Sequence, residues 1–160
     1  MRKEFAKSLA PWLGKTMKMV DNRIDEVFEI NSIELTKMQF VLLKIVDSNE
    51  GINQNELAIF ANRDKSSLTR LINTLEKKGF LARIPSKKDK RVNSLVITRK
   101  GKSILQKAIP VLLETITIFE KGLTKEEIET TIKTLQKIQE NIGANEASIC
   151  IDNDFKKTKK

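Results

Sequence analysis

The sequence predicts an α+β fold, mainly α, in one domain of 160 residues. Three observations lead to this class. Apolar residues recur at helical spacing in long segments near both ends of the chain. Several helix starts carry the same capping pattern. A polar-faced helix near the middle is followed by two short β-prone runs. We therefore expect a small unit bearing one hairpin, flanked by long helices.

The first helix is predicted over residues 5–31. Pro11 lies within this segment and either kinks the helix or marks its true start. The apolar side chains share one face over about 35 Å, at 1.5 Å per residue. They are Phe5, Leu9, Trp12, Leu13, Met17, Val20, Ile24, Val27 and Phe28. Because so long a helix precedes any compact unit, we expect it to form an interface with a second subunit.

Three helix starts share a reciprocal cap. In this pattern a Thr or Asn side chain accepts from the backbone three residues on, and a Gln or Glu at that position returns the hydrogen bond. The pairs are Thr36–Gln39, Asn53–Glu56 and Thr124–Glu127. They predict a helix to about residue 47, a short helix over residues 54–61, and a last helix ending near residue 143.

A further helix follows the short one after a brief turn at Asn62 and Arg63. Asp64 is its predicted N-cap and Gly79 its stop. Its inward face carries Leu68, Leu71, Ile72 and Leu75. A short helix, a tight turn and a longer helix with a polar N-terminal face form a helix-turn-helix.

The hairpin and two more helices complete the predicted architecture. The β-prone runs Phe80–Ile84 and Ser94–Thr98 flank a basic tip, so the lobe over residues 35–101 is a winged helix-turn-helix. Residues 102–143 are predicted as two C-terminal helices, the first bent at Pro110. The second has an apolar seam at Ile128, Ile132, Leu135, Ile138 and Ile142. The tail, residues 144–160, is short of apolar residues and is expected to fray.

Residue usage argues against catalysis and metal binding. Histidine is absent, and Cys150 is the single cysteine, which excludes an internal disulfide and a cysteine-built metal site. We expect no enzyme activity and no cofactor. No stretch approaches the ~18 apolar residues of a membrane span, and the start lacks a signal-peptide run. A cytoplasmic protein with no membrane association is expected.

The positive charge is concentrated in one quarter of the chain. Residues 61–102 hold 13 Lys and Arg against 3 Asp and Glu, a net charge of +10, whereas the rest of the chain has a net charge of −1. A Lys-rich segment is often no more than a solvated face. Its position over a capped polar helix and a hairpin favours a nucleic-acid partner.

A set of residues in this region matches the pattern of a known family. They are Ser66, Leu68, Thr69, Arg70, Leu75, Glu76, Gly79, Asp89, Arg91, Thr98 and Gly101. With one long helix before and two after, the chain resembles the MarR family of winged helix-turn-helix transcriptional regulators over residues 5–142. The resemblance implies a homodimeric repressor, held together by the first and last two helices, on a pseudo-palindromic site in double-stranded DNA. It also implies a small aromatic or lipophilic effector that lowers DNA affinity.

The resemblance and the side-chain chemistry together select the candidate site residues. The helix after Asp64 would enter the major groove, where Arg70 can address guanine or a phosphate. The wing would reach the minor groove with Arg91 at its tip, and Asp89 would brace the wing against a basic partner such as Arg70. The candidate DNA-binding residues are Arg63, Lys65, Ser66, Ser67, Thr69, Arg70, Asn73, Lys87, Lys88, Lys90 and Arg91. The lysines are expected to neutralise phosphates.

Less specific explanations stand beside these hypotheses. The polar helix could be an ordinary exposed face, and the basic tip a solvated hairpin end. Cys150 could be a redox sensor or a crosslink between subunits, but an incidental thiol is favoured. Four side chains of the first helix could line an effector pocket, although core or dimer interface is favoured: Trp12, Met17, Met19 and Phe28. In the alternative function, the chain is a winged-helix module that binds a protein partner, with DNA binding weak or lost.

Overall fold

A computed structural model describes residues 6–86 and 92–143 of the chain. Its helices are α1 (Leu9–Ile30), α2 (Lys37–Ser48), α3 (Gln54–Phe60), α4 (Lys65–Lys77), α5 (Arg99–Phe119) and α6 (Lys125–Asn141). Strands β1 (Leu81–Pro85) and β2 (Asn93–Ile97) pair antiparallel between α4 and α5. The predicted class, α+β and mainly α, is confirmed.

Helix α1 begins beside a proline. Ser8 is its N-cap, and Pro11 lies in the first turn, where a missing N–H costs no helical hydrogen bond. Pro11 therefore accompanies the start of α1. The predicted start at Phe5 lies outside the described residues. The helix ends at Ile30, one residue before the predicted end.

All three predicted reciprocal caps are present. At the start of α2, the Gln39 N–H donates to Thr36 Oγ1 at 3.3 Å, and the Thr36 N–H donates to Gln39 Oε1 at 3.2 Å. The pairs Asn53–Glu56 and Thr124–Glu127 form the same arrangement at the starts of α3 and α6. These caps formed as predicted because each depends only on residues three apart.

The junction between α4 and the hairpin shifts both strands by one residue from their predicted bounds. Gly79 adopts φ +73°, and the Phe80 N–H donates to the Leu75 carbonyl at 2.9 Å. These two features end the helix. Because the Phe80 N–H is hydrogen-bonded to the helix, β1 begins one residue later than predicted. Thr98 is the N-cap of α5, so β2 ends one residue earlier.

The chain before α3 also pairs with the hairpin. The Leu95 N–H donates to the Ile52 carbonyl at 2.8 Å, and Asn53 forms an isolated antiparallel bridge with Ser94. The sequence did not predict this backbone contact. It ties the α2–α3 connection directly to β2, so the base of the wing is fixed on the helix-turn-helix.

The hydrophobic core lies inside the winged lobe. Helices α2, α3 and α4 each contribute fully buried side chains, and the hairpin and α5 close the cluster. Its members include Leu42, Leu43, Leu57, Leu68, Ile72, Leu75, Phe80, Leu95, Leu105 and Ala108. Of the four residues predicted to face inward on α4, three are fully buried and Leu71 is half-buried.

Helices α1 and α6 contribute little to this core. Helix α1 contributes Ile24 and Phe28, and the Phe28 ring lies 5.9 Å from that of Phe40, which places Phe28 in the core. Helix α6 buries no residue in the protomer. Large apolar side chains therefore stay exposed on α1, α5 and α6: Leu9, Trp12, Met17, Met19, Leu113, Ile118, Ile132 and Leu135.

Two further features concern the long helices. Pro110 lies inside α5 and has no N–H, so one backbone hydrogen bond of the helix is missing. The helix nevertheless continues to Phe119. A bend at Pro110 stays a prediction. Among the described residues, no helix combines the length and the apolar content that a bilayer span requires.

Candidate nucleic-acid interface

The first turn of α4 is built around Asp64. Its Oδ1 accepts from the Ser67 N–H at 2.8 Å and from the Ser66 hydroxyl at 2.9 Å. The backbone hydrogen bond from Ser67, followed by the hydroxyl of Ser66, lowers the pKa of Asp64 below its ordinary value. The carboxylate is therefore ionised at neutral pH, and it fixes the start of the helix.

The turn between α3 and α4 depends on Asn62. Asn62 has φ +46°, and its N–H donates to the Ile59 carbonyl at 3.1 Å. The next N–H, that of Arg63, donates to the Ala58 carbonyl at 3.0 Å. Asparagine adopts this left-handed conformation more readily than most residues other than glycine. The turn therefore ends α3 sharply and sets the angle at which α4 leaves it.

The candidate residues of the helix and turn share one surface. Leu68, Ile72 and Leu75 face the core, and the polar positions lie on the other side of α4. The exposed ones are Arg63, Lys65, Ser66, Arg70 and Asn73, whereas Ser67 and Thr69 are half-buried. The five wing candidates lie outside the described residues: Lys87, Lys88, Asp89, Lys90 and Arg91. The suggested pairing of Asp89 with Arg70 stays a prediction, because Asp89 is one of these five residues.

A polar cluster behind α4 was not predicted. Arg83 of β1 forms an ion pair with Glu76 through Nη1, and its Nη2 donates to Asn73 Oδ1 at 3.1 Å. Gln54 Oε1 lies 3.5 Å from the same Nη2. The Gln54 Nε2 donates in turn to Thr69 Oγ1 at 2.6 Å. We call Arg83, Glu76, Asn73, Gln54 and Thr69 the Arg83 cluster.

The Arg83 cluster joins three elements, since its members come from α3, α4 and β1. Two of them, Thr69 and Asn73, are also candidate DNA-binding residues, so these side chains hold the lobe together as well as facing outward. The sequence contains one usable signal, the spacing of Thr69, Asn73 and Glu76 along a single stripe of α4. The partner on β1 could not be identified without knowing how the hairpin packs.

Part of the positive charge is engaged inside the lobe. Lys78 Nζ donates to the Glu34 carbonyl at 2.6 Å and to Gln39 Oε1 at 3.2 Å. Lys100 Nζ donates to the Lys78 carbonyl at 2.8 Å and lies 4.9 Å from the centroid of the Phe80 ring. Together with Arg83, these cations stabilise the fold, so the net charge of this region overstates the number of groups free to meet a polyanion.

Comparison with known proteins agrees with this geometry. The family model described as "MarR family" matches residues 35–92, the lobe that carries α2 to the hairpin. An uncharacterized HTH-type transcriptional regulator, YybA of Bacillus subtilis (strain 168), is 30% identical over 130 residues. That match covers 78% of this chain and 84% of YybA. The relatives are thus transcriptional regulators and not enzymes.

Solved structures share the fold. The transcriptional repressor CouR bound to a 23-mer DNA duplex has a TM-score of 0.77 at 24% identity, covering 84% of this chain and 94% of CouR. CouR from Rhodococcus jostii RHA1 has also been solved with p-coumaroyl-CoA, at TM-score 0.71, 20% identity and coverage of 83% and 92%. A mutant MarR from E. coli in complex with operator DNA has a TM-score of 0.69 at 28% identity, with coverage of 79% and 92%.

Proposed function

The chain belongs to the MarR family of transcriptional regulators, and on that premise we propose that it represses transcription from a pseudo-palindromic operator as a homodimer. The observation that carries this proposal is helix α4, which buries Leu68, Ile72 and Leu75 and exposes a capped polar face. A helix presented in this way can enter the major groove with its N-terminal residues against the base edges.

The proposed contacts divide by chemistry. Arg70 is exposed and can bind guanine with two hydrogen bonds or hold a phosphate. Arg63 and Lys65 precede it on the same surface and are assigned to phosphates, together with Lys87, Lys88 and Lys90 of the wing. Ser66, Ser67, Thr69 and Asn73 are assigned to phosphates or base edges. Arg91 is assigned to the minor groove, and Asp89 to bracing the wing.

The homodimer is supported by the unburied apolar side chains. Trp12 on α1 is 59% exposed, and Ile132 and Leu135 on α6 are 48% and 37% exposed. A monomer rarely leaves so much apolar surface in water, and helices that pack against a second copy would bury it. A two-fold dimer would present two copies of α4 about 34–36 Å apart, one helical turn of DNA.

Relief by an effector is the remaining part of the proposal. CouR, which shares the fold, has been solved both with a DNA duplex and with p-coumaroyl-CoA. For this chain we propose a small aromatic or lipophilic molecule as effector. An effector that binds only a conformation in which the two copies of α4 have a different spacing would shift the dimer away from the spacing that the operator requires.

The test is binding of the full-length protein to labelled DNA from upstream of its own coding region, measured by fluorescence anisotropy at several salt concentrations. A scrambled duplex of the same composition is the control. We expect preference for the native duplex, and an affinity that falls steeply as salt rises because phosphate contacts release counterions. If random-site selection also fails to find a preferred sequence, the chain is better explained as a winged-helix module that binds a protein.

A further inference from the structure

The side chain of Arg83 determines how the amide of Asn73 is oriented. A guanidinium has five N–H donors and no acceptor, so only an oxygen can face it. Nη2 of Arg83 lies 3.1 Å from Asn73 Oδ1. The Asn73 Nδ2, with two protons, must then point away from Arg83. Asn73 is exposed, and its Nδ2 donates to no group in the part of the chain that the structure describes.

Arg83 also determines how the amide of Gln54 is oriented, and Gln54 in turn determines the role of the Thr69 hydroxyl. Since the Gln54 Oε1 faces Arg83, its Nε2 faces Thr69, at 2.6 Å from Oγ1. Nε2 can only donate, so the Thr69 hydroxyl accepts this hydrogen bond. Its own proton goes to the Lys65 carbonyl, 2.6 Å away. Any additional partner of the Thr69 hydroxyl must therefore be a donor.

Arg83 is itself held in place. It lies in the paired part of the hairpin, opposite Leu95, and forms an ion pair with Glu76 near the C-terminal end of α4. The Arg83 and Glu76 side chains are each 26% exposed. A guanidinium anchored by its strand and by a carboxylate offers a fixed direction to the two amides.

We propose that Arg83 is a specificity-positioning residue that presents Asn73 to DNA as a donor and Thr69 as an acceptor. This inference rests on the proposed function of α4 as the DNA-reading helix. The two Nδ2 protons of Asn73 can donate to guanine at N7 and O6 or to thymine at O4. They are unfavourable opposite the amine of cytosine, which is itself a donor. The usual bidentate pairing of asparagine with adenine needs a free Oδ1, which Arg83 occupies. The Thr69 acceptor suits the amine of adenine or cytosine.

The test is selection of bound duplexes from a random library, followed by sequencing, for the wild type and four variants. Arg83→Met removes the donor. Arg83→Lys keeps a donor-only group. Asn73→Asp keeps the oxygen that faces Arg83 but has no donor for a base. Arg23→Met is the matched control, since it removes an equal charge and an Arg–Glu ion pair on α1.

We expect the wild type to select guanine or thymine at one position of each half-site. Arg83→Met should admit adenine there, with the guanine-plus-thymine preference falling about fivefold or more, the size of one base contact. Asn73→Asp should lose the preference at that position alone. Arg83→Lys and Arg23→Met should keep the wild-type sequence. A merely structural role of Arg83 would lower thermal stability or overall affinity without changing a single base position.

The two hypotheses fail in different ways. If the wild type enriches no sequence, both the proposed function and the role of Arg83 are overturned. If the wild type enriches an operator and Arg83→Met selects the same bases at every position, the role of Arg83 alone is overturned. An adenine preference in the wild type at the position that Asn73→Asp relaxes would also overturn it.

Discussion

Gly101 lies so close to the carbonyl of Phe80 that a Cβ added to Gly101 would overlap that oxygen. The contact is at the junction of α4, β1 and α5, where Thr98 Oγ1 also accepts from the Gly101 N–H at 3.0 Å and donates to the Gly79 carbonyl at 2.6 Å. The backbone of a helix thus packs directly on the backbone that begins the wing. This contact gives a physical reason for the Thr-x-x-Gly pattern.

Gly101→Ala should therefore destabilise the protein by about 3 kcal/mol, since the clash is with backbone and cannot be relieved by a rotamer change. Denaturant unfolding measures this. Gly14→Ala is the control, because a Cβ at that position of α1 meets no atom within 4 Å. It should leave stability unchanged or raise it by about 0.5–1 kcal/mol. Equal stabilities for the two variants would contradict the proposed clash.

Arg70→Ala and Arg91→Ala should each weaken operator binding by about 1–3 kcal/mol, as expected for an arginine that contacts a base. Anisotropy titration against the operator gives the two affinities. Lys65→Ala should instead weaken binding to all duplexes similarly and reduce the salt dependence, as expected for a phosphate contact. If both arginine variants bind with wild-type affinity, their assignment to DNA contact is wrong.

The left-handed conformation of Asn62 predicts a difference between two substitutions. Asn62→Val should lower the free energy of unfolding by about 1–2 kcal/mol, because a side chain branched at Cβ is strained at positive φ. Asn62→Gly should cause no loss, since glycine adopts this conformation freely. Urea unfolding with both variants checks the prediction. A valine variant as stable as the glycine variant would show that the turn adopts another conformation in solution.

The cap at Asp64 predicts a pH dependence with a definite sign. The Ser67 N–H and the Ser66 hydroxyl lower the pKa of Asp64 in the folded protein, so the folded state binds fewer protons than the unfolded state. The resulting stabilisation is complete above the ordinary pKa of an aspartate and is lost as pH falls through the lowered value. Asp64→Asn keeps a capping side chain without the charge. The stability advantage of the wild type over this variant should shrink in acid, and a constant difference would contradict it.

Helix α6 predicts a separation between folding and association. Ile132→Glu should weaken dimerisation strongly while leaving the lobe folded, because α6 buries no residue in the protomer. Sedimentation equilibrium measures the association, and circular dichroism the helical content. Lys133→Glu, at an exposed neighbouring position, is the control for the added charge and should remain dimeric. Loss of association in both variants alike would point to charge and not to the apolar face.

How much the sequence could predict depended on the range of each interaction. The caps at Thr36, Asn53 and Thr124 follow from residues three apart, and all three are present. The inward face of α4 follows from helical spacing. The strands were displaced by one residue from their predicted bounds, because the Phe80 N–H forms a capping hydrogen bond to α4 and Thr98 is the N-cap of α5.

The Arg83 cluster could not be predicted from the sequence, for a different reason. Gln54, Asn73 and Arg83 are distant in sequence and come together only after the hairpin has packed against α3 and α4. The candidate DNA-binding residues could be identified from composition and position, whereas the donor or acceptor character of each could not. That character depends on partners that a linear pattern does not specify.

In the proposed dimer, the absence of buried residues in α6 has a consequence for the behaviour of the protein on dilution. A helix of 17 residues is only marginally stable in water when nothing packs on its apolar face. Its folding would then be coupled to association, whereas the lobe has its own core. Amide hydrogens of α6 would exchange at the rate at which subunits separate, and those of α2 and α4 at the much slower rate of unfolding. The cellular concentration of the protein would thus control the order of its last helix.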